Sequence, residues 1–297
     1  MRATEGVTTC AVHMPFFYNH ILKSMRFFFC MVIRIATWNI YSGKPWQEIA
    51  DVIQDLHIDI IGLQEVDSEL ERTGYRDIAA SIAERIGYHH VFAPSMERTI
   101  DGRTPGFGNA VVSRYPILES RRHFLGSPDG WMRPAHGFLS SEQDLHADAR
   151  TQPRTLLETL IRPLDTQIRF MTTHLAYSRE FASTRTRRRQ MATILRLVRQ
   201  PTNCVQVLAG DFNAQPENPE ILRARRFFLE MDPFHHLKTW PLQSFSYKGW
   251  NVPPGPTYKI DYIFLTPHTC AGVAYTHETP FSDHALVYGD IGIDTRP

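Results

Sequence analysis

The sequence predicts a layered α/β fold built on mixed β-sheets. Two observations carry that prediction. Apolar, strand-like runs alternate with amphipathic helical stretches over the first third of the chain, and the later apolar runs come in close pairs that read as hairpins. The composition agrees: of 297 residues, 42% are hydrophobic and 21% charged, which is ordinary for a globular chain able to bury a substantial core.

The elements follow in order. Val32 to Asn39 is an apolar run that ends in polar residues, so it is a buried strand. Pro45 to Leu56 places Ile49, Val52, Ile53 and Leu56 on one face at helical spacing. Ile58 to Leu63 is a second apolar strand, running into Gln64-Glu65. Tyr75 to Ile86 reads as a helix stopped at Gly87. Asn109 to Ser113 is a strand before the turn Arg114-Tyr115-Pro116. Thr155 to Ile161 and Ile168 to Thr173 form a strand pair, with His174 at its end. Thr184 to Arg199 is a basic helix; Val205 to Ala209 and Tyr258 to Leu265 are strands, and residues 285–293 are the last one. Two irregular stretches remain, 121–153 and 232–257, the second rich in proline and aromatic residues. Loops of that length in a compact domain often shape a binding site.

Composition excludes several classes of function. Lys plus Arg is 32 and Asp plus Glu is 31, a formal charge of +1, so the chain is no wholesale polycation that coats nucleic acid. Cys10, Cys30, Cys204 and Cys270 have no metal or disulfide-framework spacing, which fits a reducing compartment. The apolar run Phe27 to Ile33 is far shorter than the roughly 20 residues a spanning helix needs, and no cleavable leader is evident. The expected organisation is a loose N-terminal extension over 1–30 and one domain over 31–297, in a cytoplasmic monomer without a transmembrane segment.

Five apolar runs end in residues with chemistry: Asn39, Glu65, His174, Asp211 with Asn213, and Asp283 with His284. One polar residue after a strand is a turn or a cap. Five suggest side chains converging at one edge of packed sheets. Glu65, Asp211, Asp283 and the Asn39 carbonyl are hard oxygen ligands, suited to Mg²⁺ or Mn²⁺. His174 and His284 can stabilise a phosphoryl oxygen or move protons near neutral pH, and Asp261 can fix a histidine tautomer. No nucleophile elbow or glycine-rich phosphate loop is present, so water is the expected nucleophile and metal-assisted hydrolysis of a phosphate ester the expected reaction.

Seven motifs occur in order: Thr37-Trp38-Asn39-Ile40, Leu63-Gln64-Glu65-Val66, Gly108 to Arg114, Thr173-His174-Leu175, Gly210-Asp211-Phe212-Asn213, Ile260-Asp261-Tyr262-Ile263 and Ser282-Asp283-His284. Over residues 31–293 the chain resembles the endonuclease/exonuclease/phosphatase superfamily. The resemblance implies a four-layer αββα sandwich, two packed mixed β-sheets flanked by helices, with the site where strand ends meet. It implies that Asn39 and Glu65 bind the metal, that Asp283 is a further carboxylate near it, and that Asp211 positions or deprotonates water, with His284 the other candidate for the base. It also implies that Asn213 and His174 hold phosphate oxygens, and that His284 is the terminal catalytic histidine, oriented by Asp261. Asn109 is a candidate for the site rim or a buried structural amide.

The implied function is a Mg²⁺- or Mn²⁺-dependent phosphodiesterase or nuclease, with nucleic acid or phospholipid as the macromolecular substrates to weigh. The alternative is a phosphomonoesterase or sphingomyelinase-like phospholipase acting on a lipid or sugar phosphate. A catalytically inactive binding module is the remote alternative, and the filled site positions argue against it. Abasic-site endonucleases of the superfamily usually follow Trp-Asn with a glycine-containing segment and Gln-Glu with Thr. Here Ile40-Tyr41-Ser42-Gly43 and Val66-Asp67 follow, and Tyr41 stands where some relatives carry a second acid. Arg185, Arg187, Arg188 and Arg189 are read as a solvated helix face in preference to a phosphate-backbone contact.

Overall fold

The computed structural model describes residues 30–97, 103–126, 152–199, 202, 204–247, 249–267 and 269–294. The expected extension, apart from residue 30, and residues 127–151 of the first irregular stretch lie outside the described residues. In chain order the strands of the first half are β1 (Cys30–Ser42), β2 (Ile60–Leu70), β3 (Arg76–Asp77), β4 (His89–Glu97), β5 (Gly106–Ser113), β6 (Ile117–Gly126) and β7 (Arg154–Ile161). Those of the second half are β8 (Ile168–His174), β9 (Val205–Asp211), β10 (Leu229–Glu230), β11 (Phe245–Tyr247), β12 (Trp250–Val252), β13 (Asp261–Leu265), β14 (Cys270–His277) and β15 (Leu286–Asp294). The helices are α1 (Trp46–Asp55), α2 (Ile78–Ile86), α3 (Arg185–Val198) and α4 (Pro219–Ala224). No described helix is long and apolar enough to cross a membrane.

These elements make a four-layer αββα sandwich. One sheet has the order β14-β15-β1-β2-β5-β4, with β3 beside β2, and the other β10-β13-β9-β8-β7-β6. Both are mixed: β1 with β2 and β8 with β9 are parallel, and the other pairs are antiparallel. The central layer is apolar from both sides, with Ile35, Ile60 and Ile291 of one sheet against Phe170, Val207 and Leu265 of the other. Ile49, Ile53, Ile78 and Ile82 seal α1 and α2 onto the first sheet. Met191, Ile194 and Ile221 seal α3 and α4 onto the second. Each such side chain, once buried, contributes about 1.5–3 kcal/mol before entropy is counted.

Where the sheets meet nearest the site they touch closely. A Cβ on Gly62 would lie 2.5 Å from Thr172 Oγ1, so this position on β2 accepts only hydrogen. Beside it, Gln64 Nε2 donates to Thr37 Oγ1 at 3.0 Å, to Gly62 O at 3.1 Å and to Thr172 Oγ1 at 2.8 Å. A buried polar seam thus fixes the two sheets against each other.

The local starts and stops have simple causes. The helix expected from Tyr75 begins at Ile78, because Arg76 and Asp77 pair with β2 and the Asp77 carboxylate caps Ala80 N at 2.9 Å. Gly87 ends it in the left-handed region, φ 72°. The strand expected from Tyr258 begins at Asp261, since Tyr258 instead bridges Trp240. Residues 121–126 of the first irregular stretch belong to β6. On α3, Arg185, Arg188 and Arg189 are solvated as expected, but Arg187 is fully buried.

On the outer face of the second sheet, Glu158 of β7 accepts from Arg169 Nε at 2.6 Å and meets His123 Nε2 at 2.6 Å. The contact with His123 and the Arg169 guanidinium outweigh partial burial and hold its carboxyl at about 2, down from 4.5. A depressed acid stabilises the fold fully above its unfolded pKa, and that stability is lost as pH falls toward the folded value. Glu158→Gln is therefore expected to cost about 2 kcal/mol at pH 7, after discounting for partial exposure. The difference from wild type in urea unfolding should shrink between pH 4.5 and about 2.

Candidate active site

Register brings the chemistry together. His174 ends β8 beside Asp211 at the end of β9, and Asp211 pairs with Asp261 at the start of β13. In the facing sheet, parallel pairing aligns Asn39 of β1 with Gln64, one residue before Glu65. Both strands then break register, between Asn39 and Ser42 and between Leu63 and Val66. Those irregularities hold Tyr41, Ser42 and Glu65 at φ of 45°, 77° and 55°, and Asn213 in the other sheet sits at 48°. Such left-handed conformations cost about 1–3 kcal/mol each and cluster at functional sites. Gly210 permits the approach of β9 to β8: at φ 149°, a Cβ there would come 2.0 Å from Thr173 O.

Asp283 and His284 reach the same place from the segment before β15. Ser282 Oγ donates to Asn39 O at 2.6 Å and accepts from His284 N at 3.0 Å. Trp38 Nε1 donates to His284 O at 2.9 Å, and Trp240 Nε1 to Asp283 Oδ2 at 3.0 Å. The eight expected site residues are thus gathered at one end of the sandwich. Six of them line a cleft of about 720 Å³, and Asn39 and Asp261 are buried beside it, Asp261 against His284. Asn109 does not join them: its amide donates to Thr155 O at 3.0 Å and ties the sheets together.

Asp211 is the meeting point. Its Oδ1 accepts from Asn213 N at 2.8 Å, and its Oδ2 from Asn39 Nδ2 at 3.2 Å. His174 Nε2 lies 3.3 Å and His284 Nε2 3.8 Å from that same Oδ2. Burial, with the charge of Asp261 beside it, pushes the Asp211 carboxyl up to about 7. Burial acts the other way on His284, but Asp261, at 3.0 Å from Nδ1, and Asp283 override it and raise the imidazole to about 10. His284 is therefore an imidazolium at neutral pH.

His174 is the opposite case. Burial, the charge of Arg154 and that of His284 push it well below its usual value, so it is neutral. Arg154 Nη1 lies 2.9 Å from His174 Nδ1, while Nε2 faces both the Asn213 amide nitrogen at 2.9 Å and Asp211 Oδ2 at 3.3 Å. Sequence reading passed over Arg154, which is only 3% exposed at the start of β7. The signal was available: in a β7–β8 hairpin the first residue of one strand lies near the last residue of the other. Ser282 and Thr239, whose hydroxyl accepts from Asp261 N at 3.3 Å, were also missed, since a hydroxyl has no pattern of its own.

Asp211, Asp261 and His284 place ligand-capable atoms within 4.8 Å of one another. Within this trio Asp261 already holds His284 Nδ1 at 3.0 Å, and Nε2 is left 3.8 Å from Asp211 Oδ2. Glu65 and Asp283 offer a different donor set. Enclosure in the cleft and the charge of Asp283 push Glu65 up, and Asp283 Oδ1 is a buried acceptor without a hydrogen-bond partner among the described residues. Two crowded carboxylates with an unused oxygen fit a hard divalent cation. Asn39 turns its amide nitrogen to Glu65 Oε1 at 3.1 Å and to Asp211, while its Oδ1 accepts from Tyr41 N at 3.2 Å. It thus meets the carboxylates as a donor, where the sequence suggested a carbonyl ligand.

Replacing Arg154 separates these effects. Arg154→Met should raise the His174 pKa, read from imidazole NMR signals over a pH series, since a repelling cation is gone. It should also cost about 3 kcal/mol of stability in urea, because Glu65 and Asp211 lose a buried counter-charge. An unchanged His174 titration would show that burial alone keeps that ring neutral.

Residues 36–284 match the sequence profile described as the Endonuclease/Exonuclease/phosphatase family. Protein cwh43 of Schizosaccharomyces pombe is 29% identical over 104 residues, which is 33% of this chain and 10% of that protein, so the chain spans about a tenth of the curated relative it matches. Among solved structures, an endonuclease/exonuclease/phosphatase family protein from Bacteroides thetaiotaomicron has a TM-score of 0.63 at 16% identity, covering 90% of this chain and 100% of that one. A mannosyl-6-phosphatase from B. thetaiotaomicron VPI-5482 has a TM-score of 0.61 at 16% identity, with 87% and 99% covered. D. rerio TDP2 complexed with a single-strand DNA product has a TM-score of 0.59 at 16% identity, with 88% and 98% covered. At these identities the likeness to the solved structures is one of fold.

Proposed function

Because the chain belongs to the endonuclease/exonuclease/phosphatase family, we propose that it hydrolyses phosphate diesters with the help of a divalent cation. The observation that carries this reading is the buried cluster around Asp211 Oδ2, with His174 Nε2 at 3.3 Å and His284 Nε2 at 3.8 Å, in which Asp211 is pushed up to about 7 and His284 to about 10. One can take a proton while its neighbour gives a hydrogen bond. Glu65 and Asp283 would hold the cation, Mg²⁺ or Mn²⁺, with the Asn39 amide ordering the carboxylates around it. When bound, it would supply charge stabilisation to a phosphoryl oxygen.

The protein's own groups divide the remaining work. Asp211 Oδ2 orients the attacking water and takes its proton. The His284 imidazolium donates to a phosphoryl oxygen and is kept in place by Asp261 on Nδ1. His174 and the Asn213 amide stand on the same side, and the His174 ring is held by Arg154 at one nitrogen and by Asn213 at the other. These donors are set in advance by strand register, so little reorganisation is needed as charge develops. A diester is favoured over a monoester because the cleft extends beyond the reaction centre, with Tyr41 and Lys44 from the segment after β1 and Tyr177 and Tyr247 from the second half of the chain also in its lining. A monoester would leave one arm of it unfilled.

The test is hydrolysis of bis-p-nitrophenyl phosphate beside p-nitrophenyl phosphate, with Mg²⁺, Mn²⁺ or EDTA. Metal-dependent diester cleavage is expected, and Asp211→Asn and His284→Ala should each lower kcat by at least about a hundredfold while the circular dichroism spectrum is unchanged. The pH profile of kcat/KM should be a bell. Its acidic limb follows loss of the Asp211 proton, at about 7 or lower with the cation bound, and its basic limb follows loss of the His284 proton near 10. Turnover of the monoester alone would reassign the protein as a phosphatase, and full activity in both variants would sink the mechanism.

A further inference from the structure

One wall of the cleft is a continuous aromatic surface that the reaction does not use. It starts at the catalytic histidine, where the Trp240 ring lies 6.5 Å from that of His284. Phe245 follows at 5.0 Å from Trp240, and Tyr247 at 6.4 Å from Phe245. Tyr177, from the segment after β8, meets Tyr247 at 6.1 Å with the rings at 86° to each other, and Phe245 at 6.5 Å. Tyr177, Phe245 and Tyr247 line the cleft and are only partly buried, whereas Trp240 and Phe181, also in the lining, are buried, as is Trp250, which is not in it.

We propose that Tyr177, Phe245 and Tyr247 form a subsite for a flat ring carried by the phosphate-ester substrate. The proposal rests on the phosphate-ester reading of the adjoining site. Two rings set nearly at right angles offer an incoming planar group one face and one edge, the two arrangements aromatic pairs prefer at centroid separations of about 4.5–7 Å. The lining argues against an acyl chain. Of the large apolar side chains that stand strongly exposed among the described residues, only Tyr41 belongs to the cleft, and it too is a ring. Lys44, also in the lining, adds a cation that a lipid tail would not use.

The wall is also held rigidly, which a selective surface needs. The buried Arg187 guanidinium donates to Ala176 O at 3.3 Å, Ser178 Oγ at 3.0 Å, Phe181 O at 2.9 Å and Ala182 O at 2.6 Å. Asn218 Nδ2 adds a bond of 2.6 Å to Phe181 O. These bonds fix the segment that presents Tyr177 and keep Phe181 at φ 56°, with its ring wedged against Trp240 and Trp250 at 5.2 and 5.6 Å.

The test uses non-hydrolysable probes on the full chain with Mg²⁺: methyl-, n-hexyl-, cyclohexyl- and phenylphosphonate, titrated calorimetrically. Phenylphosphonate should bind about tenfold tighter than methylphosphonate and more tightly than the cyclohexyl and hexyl compounds. Tyr247→Ala, and the gentler Phe245→Leu should the first fail to fold, should each reduce the phenyl preference to the cyclohexyl level. Equal binding of the hexyl or cyclohexyl probe, survival of the preference in both variants, or no phenylphosphonate binding at millimolar concentration would overturn the subsite. Diester turnover without ring preference would also overturn it and leave the hydrolase reading intact. Ring preference in a protein that turns over no phosphate ester would keep the subsite and sink only that reading.

Discussion

A carboxylate that is only 1% exposed, Asp211, is the constraint around which this end of the molecule is arranged. A buried charge must be neutralised, protonated or surrounded by donors. Here each sheet contributes to that task. The second sheet supplies Asn213 N and the ring of His174, and the first supplies the Asn39 amide across the gap between the layers. The segment before β15 adds the imidazolium of His284, itself balanced by Asp261. No single strand could gather this set. Parallel pairing of β1 with β2 and of β8 with β9 does, because it brings strand ends of both sheets out on one edge.

The sequence made the interior of this fold legible and its margins much less so. Central strands such as β1, β2, β8 and β9 are covered on both faces, so they appear as unbroken apolar runs. The strands that sequence reading did not find include all four sheet edges: β4 and β14 in one sheet, β6 and β10 in the other. Edge strands are wetted on one side and carry residues such as Glu119, Arg121 and Arg122, which hide the period of two. The site was visible for a related reason: a polar residue closing an apolar run stands out. Arg154 opens a strand instead of closing one, and Arg187 sits in a run of arginines whose other exposed members are solvated. In both cases burial reverses what the residue type suggests, and burial is set by distant chain.

Two kinds of polar construction therefore serve the cleft. Around Asp211 the donors are aimed at groups that can exchange protons, and the shifted titrations are the mark of it. Around Arg187 the donors are spent on backbone carbonyls, within a loop whose conformation they hold. The Glu220 carboxylate beside Arg187, at 3.5 Å from Nε and itself 1% exposed, completes a closed ion pair behind the aromatic wall. Burying such a pair is costly unless its remaining bonds are made. Here the two Nη groups make theirs to the very segment that carries Tyr177 and Phe181, while Arg187 Nε and Glu220 Oε2 have no hydrogen-bond partner among the described residues.

The contact at Gly62 has a wider meaning. With no atom to spare between β2 and Thr172, the two sheets cannot slide, and the strand ends that carry Asn39, Glu65, His174 and Asp211 move as one block. The segment from 232 to 258 packs in a separate aromatic cluster shared with Tyr177 and Phe181, and meets the reaction centre through Thr239 and Trp240. Substitutions in its β11–β12 hairpin, which pairs with neither large sheet, can reshape what the cleft accepts and leave those two anchor residues in place. The architecture thus separates heritable competence from heritable preference: one is locked at the scale of a single hydrogen atom, and the other is left open to drift.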